Sequence, residues 1–194
     1  DRTFRTSSHI ANDRVAQGPP AVADVDNDGH LDVVQGESSR FGTQPGELVI
    51  RYGDGAGGFP RVHQTPIGAI RYERLETGDM NGDGHADLVG MIAPHAQAAQ
   101  FVGILYGNGR GTFSAPDFSV SDSPWHRDVV VGDMNNDGRD DLLAVEFYNL
   151  DYFQAYEIVP GYIYHQRADG TLPEKPAPIG LVGWSKGHQL ADVD

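Results

Sequence analysis

Three short segments of the chain place acidic and amide side chains at every second position. They are ADVDNDGHLDVV at residues 23–34, GDMNGDGHADLV at 78–89 and GDMNNDGRDDLL at 132–143. Counted from the first Asp, each has Asp or Asn at positions 1, 3 and 5, Gly at position 6 and Asp at position 9. Oxygens at alternate positions of a tight loop suit Ca²⁺, which accepts about 6–8 oxygen ligands with loose geometry. Mg²⁺ demands a stricter octahedron, so the pattern favours calcium.

The predicted metal ligands are the side chains at positions 1, 3, 5 and 9 and the main-chain carbonyl at position 7. They are Asp24, Asp26, Asp28, His30 and Asp32 in loop 1, Asp79, Asn81, Asp83, His85 and Asp87 in loop 2, and Asp133, Asn135, Asp137, Arg139 and Asp141 in loop 3. Since His30, His85 and Arg139 would bind through the backbone, their side chains are expected to point to solvent. The carboxylates within a loop repel one another without a cation. We therefore expect about three structural calcium ions and no metal-based catalysis.

An EF-hand is the alternative interpretation of such loops. It requires a bidentate Glu at position 12 and a helix on each side. Position 12 is Gln35, Gly90 and Ala144 in the three loops, and strand-like sequence follows position 9 in each. The EF-hand interpretation therefore fails.

The loops belong to a longer internal repeat. The first acidic residues of the copies are 55, 54 and 59 residues apart, and each lies 20 residues after a Phe or Leu. These landmarks are Asp24, Asp79, Asp133 and Asp192, preceded by Phe4, Phe59, Phe113 and Leu172. The repeat units are therefore about 4–58, 59–112 and 113–171, with a partial unit at 172–194.

Each repeat contains apolar segments that are too short for helices and are bounded by Gly, Pro, Asn or Asp. They lie at residues 31–35, 47–53, 87–92, 100–107, 141–148 and 155–165. With one strand after each Phe and one before each loop, a unit has four antiparallel strands, as a β-propeller blade does. We predict an all-β propeller segment with about three complete blades, and we expect seven blades in the full ring. Because closed propellers have about 4–8 blades, the chain is expected to be part of a larger protein.

Composition restricts the class of protein further. The chain has 25 glycines and 12 prolines, which favours many strands joined by turns. It has no cysteine, which excludes a disulfide scaffold and a Cys-based zinc site. The net charge of −14 argues against nucleic acid as a partner, and no apolar run is long enough to insert into a membrane.

The D-x-[DN]-x-D-G-x-x-D loop, the preceding Phe and the turn YGNGRGTF at residues 106–113 together resemble the FG-GAP or VCBS repeats of integrin-α-like β-propellers. The resemblance covers essentially the whole chain. It implies Ca²⁺ in the hairpin between the first two strands of each blade, on the lower face, with ligands bound on the upper face. Asp192 and Asp194 match positions 1 and 3 of a fourth loop, but positions 5 to 9 are missing, so no filled site is expected there.

The upper face of such a propeller would carry the segments that enter each inner strand. These segments are rich in aromatic and basic residues, which suit sugars, acidic glycans or a protein loop. The predicted ligand-binding residues are Arg71, Tyr72, Arg74, Trp125, His126, Arg127, Trp184 and His188. Trp125 and Trp184 each lie eight residues before a loop Asp, and packing between blades is the alternative role for them.

Two classes of function remain open at this point. The first is a secreted or cell-surface, lectin-like or adhesive recognition module that binds carbohydrate or an extracellular protein. The second is a propeller-based enzyme, such as a polysaccharide lyase or hydrolase. No Ser/His/Asp, HExxH or phosphate-loop signature is present in the sequence, so binding is favoured over catalysis and no catalytic residue is nominated.

Overall fold

The computed structural model describes residues 14–16, 18–39, 46–68, 70–94, 101–120, 126–146, 158–174 and 176–182. Every regular element in these ranges is a β-strand, which confirms the all-β prediction. The strands are β1 (Arg14–Ala16), β2 (Ala21–Ala23), β3 (Asp32–Ser39), β4 (Gly46–Tyr52), β5 (Arg61–Gly68), β6 (Ile70–Gly78), β7 (Asp87–Pro94), β8 (Phe101–Leu105), β9 (His126–Gly132), β10 (Asp141–Glu146), β11 (Ile158–Tyr164) and β12 (Ile179–Val182).

The strands form three antiparallel sheets that follow one another along the chain. In the first, which we call blade 1, the order is β1–β3–β4–β5, and β2 also pairs with β3. Blade 2 has the order β6–β7–β8, and blade 3 has the order β9–β10–β11–β12. Apart from β1, which pairs with β3, the paired strands of each sheet are sequence neighbours, which is the arrangement of β-propeller blades. Loop 1 joins β2 to β3, loop 2 joins β6 to β7, and loop 3 joins β9 to β10. Each loop therefore connects two paired strands at the start of its blade.

The sequence repeat and the blades differ in phase by one strand. Strand β5 follows Phe59, the first residue of the second repeat unit, yet it pairs with β4 and completes blade 1. Strand β12 likewise follows Leu172 and completes blade 3. In blade 2 the described contact of this kind is a single bridge between Ile104 and Asp117. Each repeat unit therefore carries the last strand of one blade and the first strands of the next.

The hydrophobic cores lie between neighbouring blades. One cluster packs Val34 and Ile50 of blade 1 against Leu75 and Leu88 of blade 2. A second cluster joins blades 2 and 3 and includes Val89, Val102, Ile104, Leu142 and Tyr164. All six residues of β10 are buried, because the two faces of this strand pack in different clusters. Each fully buried aliphatic side chain contributes about 1.5–3 kcal/mol, so the contacts between blades hold most of the structure together.

A β-bulge interrupts the first strand of blades 2 and 3 at the same point. In β6 the pairing moves from Tyr72–Ile92 to Arg74–Met91, so Glu73 is an extra residue. In β9 Arg127 is the extra residue. Both lie six residues before the first Asp of the following loop. A bulge changes the face to which side chains point, and as a result Tyr72 and Leu75, three residues apart, both belong to the core between blades 1 and 2.

The bulge leaves the Tyr72 hydroxyl in an apolar environment. The residue is 1% exposed, and its hydroxyl has no hydrogen-bond partner among the described residues. The Tyr52 hydroxyl, in contrast, donates to the Gly111 carbonyl at 3.1 Å. We expect Tyr72→Phe to raise the free energy of unfolding at pH 7 by about 1 kcal/mol and Tyr52→Phe to lower it by about the same amount. Urea unfolding of the two variants checks this, and a destabilised Tyr72→Phe variant would contradict it.

The same residue predicts a loss of stability in alkali. Burial raises the pKa of Tyr72 from 10.0 to about 12. A folded-state pKa above the unfolded value favours the neutral hydroxyl in the fold, so this stability is complete below about pH 10 and is lost as the pH rises toward about 12. Tyr72→Phe should therefore reduce the decrease in melting temperature between pH 9 and pH 11, which a melting series at those pH values measures.

Candidate metal-binding hairpins

The Asp at position 1 holds each loop in shape by accepting hydrogen bonds from its backbone. The Asp24 carboxylate accepts from the N–H groups of Asp28 at 3.1 Å and Gly29 at 2.8 Å. Asp79 and Asp133 accept from the equivalent N–H groups of loops 2 and 3 at 2.8–3.1 Å. These bonds lower the pKa of Asp133 below its usual value, with the Gly138 N–H as the largest cause. The Asp133 carboxylate is therefore held in its charged form, and the backbone hydrogen bonds fix the position 1 side chain in each loop.

The glycine at position 6 allows the turn that brings these oxygens together. Gly29, Gly84 and Gly138 have φ values of 87°, 82° and 84°, which side-chain-bearing residues rarely adopt. The position 5 carboxylate before each glycine accepts a hydrogen bond from the position 7 N–H at 2.9–3.0 Å. The position 7 residue belongs to this same turn, and the use of its carbonyl as a backbone ligand stays a prediction.

The Asp at position 9 joins each loop to the rest of its blade. Asp32, Asp87 and Asp141 are fully buried. One oxygen of each accepts from the position 2 N–H at 2.9–3.1 Å. The other accepts from a residue just beyond the third strand, which is Gly53, Gly107 or Gln166, at 2.7–2.9 Å. A hydrophobic side chain could not make these bonds, which explains an acid at this buried position.

Burial makes the charge at position 9 costly. It raises the pKa of Asp87 to about 6, against the lowering effect of the hydrogen bonds from Gly107 and Met80, and it raises the pKa of Asp32. The nearby carboxylates at positions 1 and 5 raise the Asp87 value further. A divalent cation in the loop would offset both effects. The loop electrostatics therefore favour a bound cation.

The residues present in loop 1 fit a calcium ion. Asp24, Asp26 and Asp28 each offer one oxygen, and these oxygens lie within 4.8 Å of one another. The Asp26 side chain is only 10% exposed, and its buried Oδ1 has no hydrogen-bond partner among the described residues. A buried carboxylate oxygen without a donor indicates that a cation can bind there. Asp32 lies outside this group, and its use as a metal ligand stays a prediction.

The position 7 side chains do not simply point to solvent, contrary to the expectation from sequence. The His85 ring lies 2.8 Å from the Asn27 amide of loop 1, measured from Nδ1 to Nδ2. Arg139 donates from Nε to the Gln166 carbonyl at 3.0 Å and pairs with Asp137. His30 is 44% exposed and packs beside Gly55. The reason is that a hairpin turn packs directly against each loop.

Each of the first two loops is also covered by the following blade. The Gly111 N–H, in the turn after β8, donates to the Val25 carbonyl of loop 1 at 2.9 Å. The Gln166 amide of blade 3 donates to the Asp79 carbonyl of loop 2 at 2.7 Å, and Asp140 accepts from the Asp79 N–H at 2.8 Å. The loops are therefore part of the contacts between blades, and their shape affects how the blades pack.

Two of the predicted ligand-binding side chains, Tyr72 and His126, are buried, and a third, Arg74, is 16% exposed and ion-paired. Tyr72 belongs to the core between blades 1 and 2. Arg74 pairs with Glu76 at 2.7 Å and with Asp128 of blade 3 at 2.9 Å. His126 is 3% exposed, and its Nε2 lies 3.8 Å from the Glu146 carboxylate on the paired strand. These side chains connect strands and blades, so they support a binding surface and do not form it.

The other predicted ligand-binding residues are only partly covered by the structure. Arg71 and Arg127 lie in β6 and β9, beside and at the bulges, and only their backbone positions are described. Trp125, Trp184 and His188 lie outside the described residues, so their ligand-binding role stays a prediction.

Two residues that sequence reasoning did not select contact residues that it did select. Arg61, on β5, pairs with Asp26 of loop 1 and lies over the Tyr52 ring, with 3.7 Å between its guanidinium carbon and the ring centroid. Asp128, fully buried in β9, accepts from Arg74 across the boundary between blades. The sequence feature that could have identified Arg61 is its position two residues after Phe59, because the equivalent positions of the other units are Ala115 and Glu174.

Comparison with known proteins agrees with this geometry. A family model described as an FG-GAP-like repeat matches residues 24–90 and 96–144, which together are more than half of the chain and include all three loops. A search of curated proteins found no match. No helix capable of crossing a membrane occurs in the part of the chain that the structure describes. The chain belongs to the FG-GAP-like repeat family.

Proposed function

We propose that the protein is a calcium-stabilised β-propeller recognition module of extracellular or cell-surface location. Its three acidic hairpins bind structural Ca²⁺, and loops at the opposite ends of the strands bind carbohydrate or a protein partner. The observation that supports this best is the shared geometry of the hairpins, with three carboxylate oxygens of loop 1 within 4.8 Å and Asp26 Oδ1 buried without a donor. Family membership supports the extracellular location. Calcium, which we propose that the hairpins bind, is also abundant outside the cell.

The position of the loops supports metal binding at one end of the strands and ligand binding at the other end. The acidic hairpins occupy one end of each blade and are engaged in contacts with the next blade. The bulges of β6 and β9 lie toward the other end of the same strands. Bulges are common next to binding sites because they change the direction of side chains. Loops on a rigid scaffold are also where binding residues are concentrated.

Catalysis is the second candidate class, and the described residues give it little support. A general acid or base must reach its substrate. The His126 and Glu146 side chains, which would be the natural acid and base pair, are 0% and 4% exposed. Both are therefore inside the protein, and a binding function is favoured.

A glycan panel with a parallel turnover assay tests the recognition proposal. We expect binding of a carbohydrate, weakened by Trp125→Ala and without release of a shorter product. The Phe118→Ala variant, which changes an exposed aromatic residue of blade 2, is the matched control and should bind normally. Product release would contradict a purely binding role. A panel without any signal would exclude carbohydrate and leave an extracellular protein as the ligand.

A further inference from the structure

We propose that Arg61 and Arg139 compete with calcium for the carboxylates of loops 1 and 3, so that loop 3, which has the lowest net negative charge, is the weakest of the three calcium sites. This inference rests on the proposed calcium binding, but it concerns the order of affinities, which the repeat pattern does not predict. It follows from differences among three loops that otherwise share one geometry.

In loop 1 an arginine from the outer strand occupies one carboxylate oxygen. Arg61 Nη2 pairs with Asp26 Oδ2, while Asp26 Oδ1 has no hydrogen-bond partner among the described residues. The Arg61 side chain is 60% exposed, and its guanidinium is held over the Tyr52 ring. This cation–π contact keeps the positive charge next to the metal ligand. Calcium can therefore bind Asp26 only with the Arg61 guanidinium beside it or after that guanidinium has been displaced.

In loop 3 an arginine of the loop itself has the same effect at a different ligand. Arg139 follows two residues after Asp137, and its Nη2 pairs with Asp137 Oδ2. Its Nε donates to the Gln166 carbonyl of blade 3 at 3.0 Å, which fixes the guanidinium beside the loop. The carboxylate at position 5 is therefore engaged by a cation before calcium arrives.

Loop 2 has no such cation. Within the ranges that the structure describes, no lysine or arginine forms an ion pair with Asp79, Asp83 or Asp87. Asp83 Oδ2 accepts instead from the neutral Asn81 amide at 3.1 Å. The position equivalent to Arg139 is His85, whose ring lies against Asn27 of loop 1 and not against a loop 2 carboxylate.

The net charge of each loop, counted together with its arginine, predicts an order of calcium affinity. Loop 1 has four carboxylates and one arginine and loop 2 has three carboxylates, so each has a net charge of −3, whereas loop 3 has three carboxylates and one arginine and a net charge of −2. A unit positive charge about 4 Å from a divalent ion weakens its binding appreciably even at the dielectric constant of water. The arginines should therefore weaken calcium binding while they stabilise the metal-free loops.

Calorimetric titration of calcium into the chelated protein tests the proposal. We expect Arg61→Gln and Arg139→Gln each to tighten one site by about tenfold and to lower the melting temperature in chelator. The matched control is Arg51→Gln, which removes the same charge from neighbouring strand β4, where Arg51 pairs with Glu37 at 2.8 Å. It should leave all three affinities unchanged. Asp79→Asn, which disables loop 2, should remove one of the two tighter sites of the wild-type protein.

The outcomes separate this proposal from the one on which it rests. Calcium binding by the wild type with unchanged or weaker binding by Arg61→Gln would overturn the competition while calcium binding stands. Loss of the weakest site in Asp79→Asn would overturn the order of affinities. A wild-type protein that binds no calcium would overturn both proposals.

Discussion

Chelation of calcium is expected to lower the melting temperature by about 15–30 °C. At a calcium concentration one hundred times the dissociation constant, each site stabilises the folded protein by about 2.7 kcal/mol, so three sites contribute about 8 kcal/mol. For a chain of this size, each kcal/mol changes the melting temperature by about 2–4 °C. The physical cause is the repulsion among the carboxylates of positions 1, 5 and 9 when no cation is present. Thermal melting with calcium and with excess chelator measures the effect.

Single-loop variants provide the control for this result. Asp24→Asn, Asp79→Asn and Asp133→Asn each remove one charge at position 1 and keep an oxygen that can accept from the loop backbone. Each variant should lose the part of the calcium-dependent stabilisation that its own loop contributes, and the triple variant should lose nearly all of it. An unchanged melting temperature of the wild type in chelator would contradict the structural role of calcium.

The second large effect is expected for Gly170→Ala. Gly170 lies in the turn that follows β11, has a φ of 78°, and packs against the backbone of Asn81 in loop 2. A Cβ at this position would overlap the Asn81 carbonyl oxygen, which belongs to the backbone and cannot rotate away. The strained φ costs about 1 kcal/mol and the overlap about 1–3 kcal/mol more. We expect the melting temperature to fall by about 10 °C.

Gly57→Ala is the matched control for that variant. Gly57 has a φ of 89° in a hairpin turn of blade 1, and a Cβ there would meet nothing within 4 Å. This variant should therefore show only the conformational cost of about 1 kcal/mol. Because Asn81 is a predicted calcium ligand, Gly170→Ala should also weaken calcium binding by loop 2, whereas Gly57→Ala should not. Equal destabilisation by the two variants would show that the contact between blades has little effect.

Much of the fold could be predicted from the sequence because each repeat unit contains the same local causes of its structure. Short apolar segments bounded by Gly, Pro, Asn or Asp predicted strands that correspond to β3, β4, β7, β8, β10 and β11. The Gly at position 6 and the buried Asp at position 9 recur because each loop needs a left-handed turn and an acceptor for two backbone N–H groups. A local pattern was sufficient for features whose causes are local.

The predictions that failed depended on events that a local pattern does not show. A single extra residue in β6, Glu73, changes the face of the strand, and Tyr72 is therefore in the core and not on a surface. Arg74 was predicted to bind a ligand, but it pairs with Asp128, which is 54 positions away in the sequence. Arg61 contacts loop 1 only because β5 pairs beside β4. These contacts are set by the pairing of strands and by packing between blades.

The covering of each loop by the following blade has a consequence for folding during synthesis. Asn27 of loop 1 has its partner His85 58 residues further along the chain, and Tyr52 of blade 1 has its partner Gly111 59 residues further along. The Asp79 carbonyl of loop 2 receives its donor from a residue 87 positions later. A loop that has just left the ribosome therefore lacks its cover until the next blade has been translated. We infer that blades mature one step behind translation, from the N-terminal side, and that loops 1 and 2 reach their final packing only when the following blade has formed.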